Sequence, residues 1–199
     1  MHLEGQMQEY MHFGQVANFK TNSNIELGKL ILALNANLKK SIVIKNAEEV
    51  SEDFHARYNC IEKTYRFIIN NSNVPSAIYR YIEYHIPQKL DISKMKEALK
   101  HFEGTHDFKG FKASGTSSKS SVRTIYKAEI KKQEERIIIE LTGNGFLYNM
   151  VRIISGTLVD VGLGKIKPEE IPEIIEEGNR KKARKNLTRT CTLPCKCKI

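Results

Sequence analysis

Apolar and polar positions alternate along this chain in several distinct rhythms. Over residues 25–38 the apolar ones fall at Leu27, Leu30, Ile31 and Leu34, a spacing of three and four that predicts an amphipathic helix with Asn24 as its N-cap. Ile42-Val43-Ile44 predicts a short strand, and Ala47–Ser51 a turn or short helix. Tyr65–Ile69 alternates like a strand and is ended by Asn70-Asn71-Ser72-Asn73 with Pro75. Residues 91–102 place Ile92, Met95, Leu99 and Phe102 on one helical face, and Gly104 stops the run. A strand follows over Val122–Ile130, and Pro168 at the first position of 168–177, with Glu169 and Glu170 in the first turn, opens a last helix.

The densest stretch lies between these elements. Ile137-Ile138-Ile139-Glu140-Leu141 is a β-branched run with the character of a buried strand, and Gly143 and Gly145 mark the bend that ends it. Beyond the bend, Leu147, Val151, Ile154, Leu158 and Val161 predict a helix with one buried face. Arg152 is the only charge between Gly143 and Val159. A cation at the start of such a helix needs a structural carboxylate or an anionic ligand opposite it. A core helix whose arginine snorkels to water would account for the stretch if it stood alone.

Composition narrows the picture modestly. The chain has 199 residues, 40% hydrophobic and 28% charged, with a net charge of +9, an excess that suits a polyanionic partner. No apolar run approaches the length of a membrane span and the first residues lack a signal-peptide core, so the expected location is the cytoplasm. Cys60 stands apart, while Cys191, Cys195 and Cys197 crowd the end without a fourth ligand at zinc-site spacing, so no metal is expected. His106-Asp107 reads as a surface turn rather than a catalytic pair, and Phe108 and Phe111 as core anchors. Ser114–Ser121 has the composition of a loop that can fold over a bound strand. The run Arg180–Lys185 reads as a solvated surface before a phosphate track.

Five segments in register carry more information than any one of them. They are Phe54-His55-Ala56-Arg57-Tyr58, Lys63-Thr64-Tyr65-Arg66-Phe67, His106–Phe111, Ser121–Tyr126 and Gly143–Arg152. In this order the chain resembles the tRNA pseudouridine synthase A family, from about Phe13 to about Ala183. The resemblance implies an α+β pseudouridine synthase fold, with a mixed or antiparallel sheet flanked by helices and two ferredoxin-like subdomains. It implies a homodimeric isomerase with no cofactor that converts uridine to pseudouridine in the anticodon arm of tRNA. Tyr65 inherits the role of stacking on the target base, and Arg152 that of facing the catalytic carboxylate. Leu147 packs beside the base, and Phe146, Tyr148 and Met150 wall the pocket. Arg123 inherits a phosphate or carboxylate contact, against ordinary strand solvation as the plainer reading.

The resemblance also exposes a departure. The family's Gly-Arg-Thr-Asp-x-Gly-Val-His-Ala segment, whose Asp is the nucleophile, should run directly into Phe13-Gly14-Gln15-Val16, which makes Met7 the Asp position. One permitted coding of residues 1–12, read two bases later, gives Ala-Ser-Gly-Arg-Thr-Asp-Ala-Gly-Val-His-Ala. Both Ala codons after the first are forced by the unique Met codon. Residues 1–12 are therefore expected to be that motif translated out of frame, and the chain as written to lack activity; a genomic locus without such a frame would end the idea. A one-base shift over Cys191–Lys196 likewise permits Ala-Leu-Tyr-Leu-Val-Asn. The expected organisation is a remnant of an N-terminal subdomain over 1–50, its opening strand and helix lost, a C-terminal subdomain over 51–184, and an aberrant basic, cysteine-bearing tail over 185–199.

Overall fold

The computed structural model describes residues 15–56, 58–113, 115, 120–180 and 182–183, and the backbone of 192–198. Met7 and Phe13 lie outside the described residues, as do Arg57 and most of the 114–119 loop. The chain divides into two compact units, one of them Val16–Asn59 and the other containing Cys60–Ile199. The division falls at Asn59, nine residues beyond the boundary read at residue 50.

In the smaller unit, helix α1 spans Leu27–Asn37. It starts after Glu26 rather than at Asn24, and no side chain caps it. Ile42–Ile44 is not a strand. The Ile44 amide donates to Asn35 Oδ1 at 2.7 Å and the Ile44 carbonyl accepts from Asn35 Nδ2 at 3.0 Å. One helix side chain thus takes up the backbone groups a strand neighbour would have used. Residues 47–51 are likewise irregular.

The larger unit is a mixed sheet with helices packed on it, an α+β arrangement. Its strands are β1 (Glu62–Asn70), β2 (Tyr84–His85), β3 (Gly104–Asp107), β4 (Val122–Gln133), β5 (Arg136–Gly143) and β6 (Thr192–Lys198). They lie in the order β2-β1-β5-β4-β3, with β6 also on β1. All pairings are antiparallel except β1 with β2. The segment read as a tail therefore supplies a strand, placed beside residues 62–67 of β1. His106-Asp107 belongs to β3 instead of a turn, because its backbone pairs with Arg123 and Val122.

Helix α2 (Ile92–Lys100) is capped by Asp91, which accepts from the Lys94 amide at 3.1 Å. Gly104, at φ 98°, provides the left-handed turn that carries the chain from helix to β3. Helix α2 packs on β4 and on α3 (Met150–Gly162), while α4 (Ile171–Glu177), entered through a 3₁₀ turn at Pro168–Glu170, packs on β3. Phe67, Ile69, Ile137, Ile139 and Leu141 meet Met95, Leu99, Ile154 and Leu158 in the core. Phe102, Phe108 and Phe111 are fully buried, as the pattern predicts, with Phe111 in edge-on contact with each of the other two.

Two patterns depart from expectation. β5 is buried only at alternate positions, since Ile138 and Glu140 face away from the helices. Helix α3 is buried on every side, at all thirteen positions. A central helix packed on α2, on β1 and on the turn at Lys109–Phe111 has no solvent side to mark a period.

On the sheet face without these helices, Arg66 Nε and Nη2 donate to Glu140 Oε1 at 2.9 and 2.6 Å, and Lys131 Nζ to Oε2 at 3.3 Å. Burial pushes the Glu140 carboxyl up, but the hydrogen bonds and charges of Arg66 and Lys131 outweigh it and hold it below its ordinary value of 4.5. A depressed folded-state value means stabilisation that is present above the unfolded value and lost as pH falls through the folded one. Glu140→Gln is expected to lower the melting temperature at pH 7 by a few degrees, from about 1 kcal/mol discounted for the half-exposed Arg66. Thermal melts from pH 7 to 2 should show that gap closing below about pH 4.5; a gap independent of pH would refute it.

Candidate active site

The bend after β5 is where distant segments converge. Lys63 pairs with Gly143, so the start of β1 lies against the end of β5 and brings Tyr65 level with Leu141. The Gly143–Asn144 bend is locked to β4. Asn144 donates its amide to Thr124 O at 3.1 Å, and its Oδ1 accepts from the Thr124 amide at 3.0 Å. A Cβ at Gly143 would stand 2.5 Å from that same carbonyl oxygen, which no real side chain tolerates. This close approach sends Phe146 and Leu147 back toward β1.

Phe146 meets Tyr65 edge to face, with ring centroids 5.1 Å apart. Both rings are half-buried against the core, of which Leu147 is a buried member. Arg152, one turn into α3, is 7% exposed, and its Nη1 donates to Asn149 Oδ1 at 2.7 Å. Burial pushes the Tyr65 phenol up, and the positive charge of Arg152 acts in the opposite direction. A strand tyrosine thus feels the charge of a buried cation that lies 87 residues further along the chain (152 − 65). Such a pair can stack a planar base and stabilise a carboxylate or phosphate.

Arg123 joins the site from β4. Its Nη1 donates to the Ser120 and Val122 carbonyls at 3.1 and 2.6 Å, and its side chain crosses Gly145, where an added Cβ would lie 3.7 Å from Nε. The structure thus gathers Tyr65, Phe146, Leu147, Arg152 and Arg123 around one bend. It does not gather all of the expected wall. Met150 is wholly buried in the core and Tyr148 is exposed, because the left-handed residue at Asn149 turns the chain between them. His106, read as part of a turn, lies on β3 with its ring Nε2 donating to Glu103 O at 2.8 Å.

The expectations for the nucleophile at Met7 lie outside the described residues. The aspartates of the chain are Asp53, Asp91, Asp107 and Asp160. In the larger unit Asp91 caps α2, Asp107 accepts from the Lys109 amide and the Ser121 hydroxyl, and Asp160 pairs with Lys165. Among the described residues no group of three or more His, Cys, Asp and Glu could hold a metal, and no helix is long and apolar enough to cross a membrane. Sequence reading missed Asn149. An Asn three residues before the arginine of a buried helix was the available signal, since Asn tolerates the left-handed region.

A family model described as tRNA pseudouridine synthase matches residues 98–196, which include β5, the bend after it and Arg152 on α3. Relatives extend the match to most of the chain. A tRNA pseudouridine synthase A of Acetivibrio thermocellus is 52% identical over 170 residues, covering 85% of this chain and 70% of that protein. A tRNA pseudouridine synthase A 2 of Clostridium perfringens is 54% identical over 168 residues, 84% and 69% of the two chains. One from a Thermoanaerobacter species is 50% identical over 169 residues, 85% and 69%. The chain belongs to the tRNA pseudouridine synthase A family.

Proposed function

We propose that this chain takes an unstacked uridine of the tRNA anticodon arm onto Tyr65, and that the isomerisation to pseudouridine is the reaction its site is shaped for. The convergence of Tyr65, Phe146 and Arg152 at one bend carries this reading. A uracil must leave its helix to be worked on, and stacking on an aromatic ring offsets that by roughly 1–3 kcal/mol. Phe146 keeps the Tyr65 ring from turning, and Leu147 fills the space beneath. Arg123 is assigned to the RNA backbone. In the reaction the bond from C1′ of the ribose to N1 of uracil breaks, the base turns, and C1′ joins C5. The hydrogen of C5 leaves to water while N1 gains a proton, so nothing is oxidised or reduced and no cofactor is called for.

The step needs an ionised carboxylate, which a buried guanidinium such as that of Arg152 would keep charged. By resemblance that carboxylate belongs at position 7, which is Met7. We therefore add a second reading: the chain as written binds the anticodon arm without turning it over. Residues 51–184 are assigned to the RNA-binding subdomain and residues 1–50 to the remainder of its partner. A cytoplasmic homodimer is the expected working form.

An anticodon stem-loop carrying tritium at C5 of its uridines tests both readings. The full chain is expected to bind it, by filter retention, and to release no tritium above a buffer control. Release at an enzyme's ordinary rate would place the nucleophile elsewhere than position 7. Failure to bind would remove the assignment of Tyr65 and Arg152 to uridine recognition.

A further inference from the structure

We propose that Asn149 is a positioning residue: its side-chain oxygen, aimed by a left-handed backbone, holds the Arg152 guanidinium on the Tyr65 side of the bend. The inference rests on the reading that Tyr65 and Arg152 face the bound uridine. Asn149 sits at φ 61° and ψ 10°, and with Glu134 it is one of two residues other than glycine with positive φ among those described. Glu134 occupies the two-residue turn between β4 and β5, where such a conformation is the ordinary solution. Asn149 has no hairpin to serve. It stands at the N-cap of α3, where an Asn normally takes an extended backbone and offers its oxygen to the amides of the first turn. Here no side-chain cap bond forms. The oxygen is turned to Arg152 Nη1 at 2.7 Å instead. A left-handed backbone and a forgone cap both depart from the usual arrangement of an N-cap asparagine, and what they achieve together is the placement of one guanidinium.

The neighbouring bonds make that placement rigid. The Met150 amide donates to Leu147 O and the Ile153 amide to Asn149 O, each at 3.0 Å, while the Tyr148 carbonyl accepts from the Ala113 amide at 3.1 Å. The backbone on either side of Asn149 is therefore tied down, and Oδ1 has little freedom to follow a wandering arginine. Arg152 is long enough to reach elsewhere. The bond to Asn149 fixes one edge of its guanidinium, and its charge is felt at the Tyr65 hydroxyl.

Asn149→Gly separates the side chain from the backbone, because glycine adopts φ 61° without strain and lacks only the oxygen. The test uses the full chain with carbon-13 tyrosine, the Tyr65 signal being assigned by its loss in Tyr65→Phe. In Asn149→Gly the ionisation midpoint of Tyr65 is expected to move to higher pH, as the positive charge withdraws. Binding of the anticodon stem-loop should weaken about tenfold. The melting temperature should not fall, which keeps the result apart from misfolding. A variant whose Tyr65 titrates as in the unaltered chain overturns the proposal, leaving Asn149 as a turn residue only. If the unaltered chain binds no stem-loop, the uridine-binding reading fails, and the Tyr65 titration still decides the role of Asn149.

Discussion

Replacing Arg152 by Met is expected to weaken binding of an anticodon stem-loop by about ten- to a hundredfold while lowering the melting temperature by no more than a few degrees. The two effects diverge because Arg152 is 7% exposed at the edge of an apolar core. Methionine matches the aliphatic length of arginine and needs no charged partner, so packing survives and the desolvation of a cation is relieved. What is lost is the bond to Asn149 Oδ1 and, on binding, the contact with an anionic ligand, about 1.5–3 kcal/mol for a charge-assisted hydrogen bond. A structural arginine would behave in the opposite way. Breaking a buried ion pair leaves a charge without its partner and destabilises the fold by about 3–5 kcal/mol, with no specific effect on RNA. Fluorescence anisotropy with a labelled stem-loop, alongside thermal denaturation of the same variant, distinguishes them. A destabilised variant with unchanged affinity would return Arg152 to the core.

Gly143→Ala is expected to destabilise the larger unit by about 3 kcal/mol, at the upper end for overpacking, since the added methyl would meet the Thr124 carbonyl oxygen at 2.5 Å. That corresponds to a fall in melting temperature of roughly 6–12 °C. The clash is with backbone, which cannot rotate away as a side chain would. Relief requires β4 and β5 to part, with loss of the bonds between Asn144 and Thr124. The consequence reaches the site, because the same bend delivers Phe146 to Tyr65. A variant that melts within about two degrees of the unaltered chain would show that the bend does not need this close approach. Gly145→Ala is the internal control: an added Cβ there stands 3.7 Å from the Arg123 side chain, ordinary contact distance, and a change of less than about 0.5 kcal/mol is expected.

The regular elements with a solvent face could be read from the chain. α2 shows its period because only Met95, Ala98 and Leu99 are buried among lysines, and Asp91 announces its start. β1 shows its alternation only where buried Phe67 and Ile69 flank the half-buried Ile68. α3 could be recognised as a helix but its burial was underestimated, because period analysis detects a contrast between faces and α3 has none. Ile42–Ile44 has strand composition without a strand, since whether a β-branched segment pairs depends on what lies beside it, here Asn35. His106-Asp107 gave no sign of pairing with β4 for the same reason.

Five residues of the site were accessible beforehand through motifs in register, and Asn149 was not. Types and order are properties of the linear chain: an aromatic on a strand, an arginine on a buried helix, glycines between. That Tyr65 and Phe146 lie 5.1 Å apart, or that Arg152 donates to Asn149, is not. Spacing along a strand or helix follows from local geometry and survives in the sequence as a period. Contact between strands whose residues are some eighty positions apart follows from register, close approach and burial, which exist only once β1, β5 and α3 have packed together.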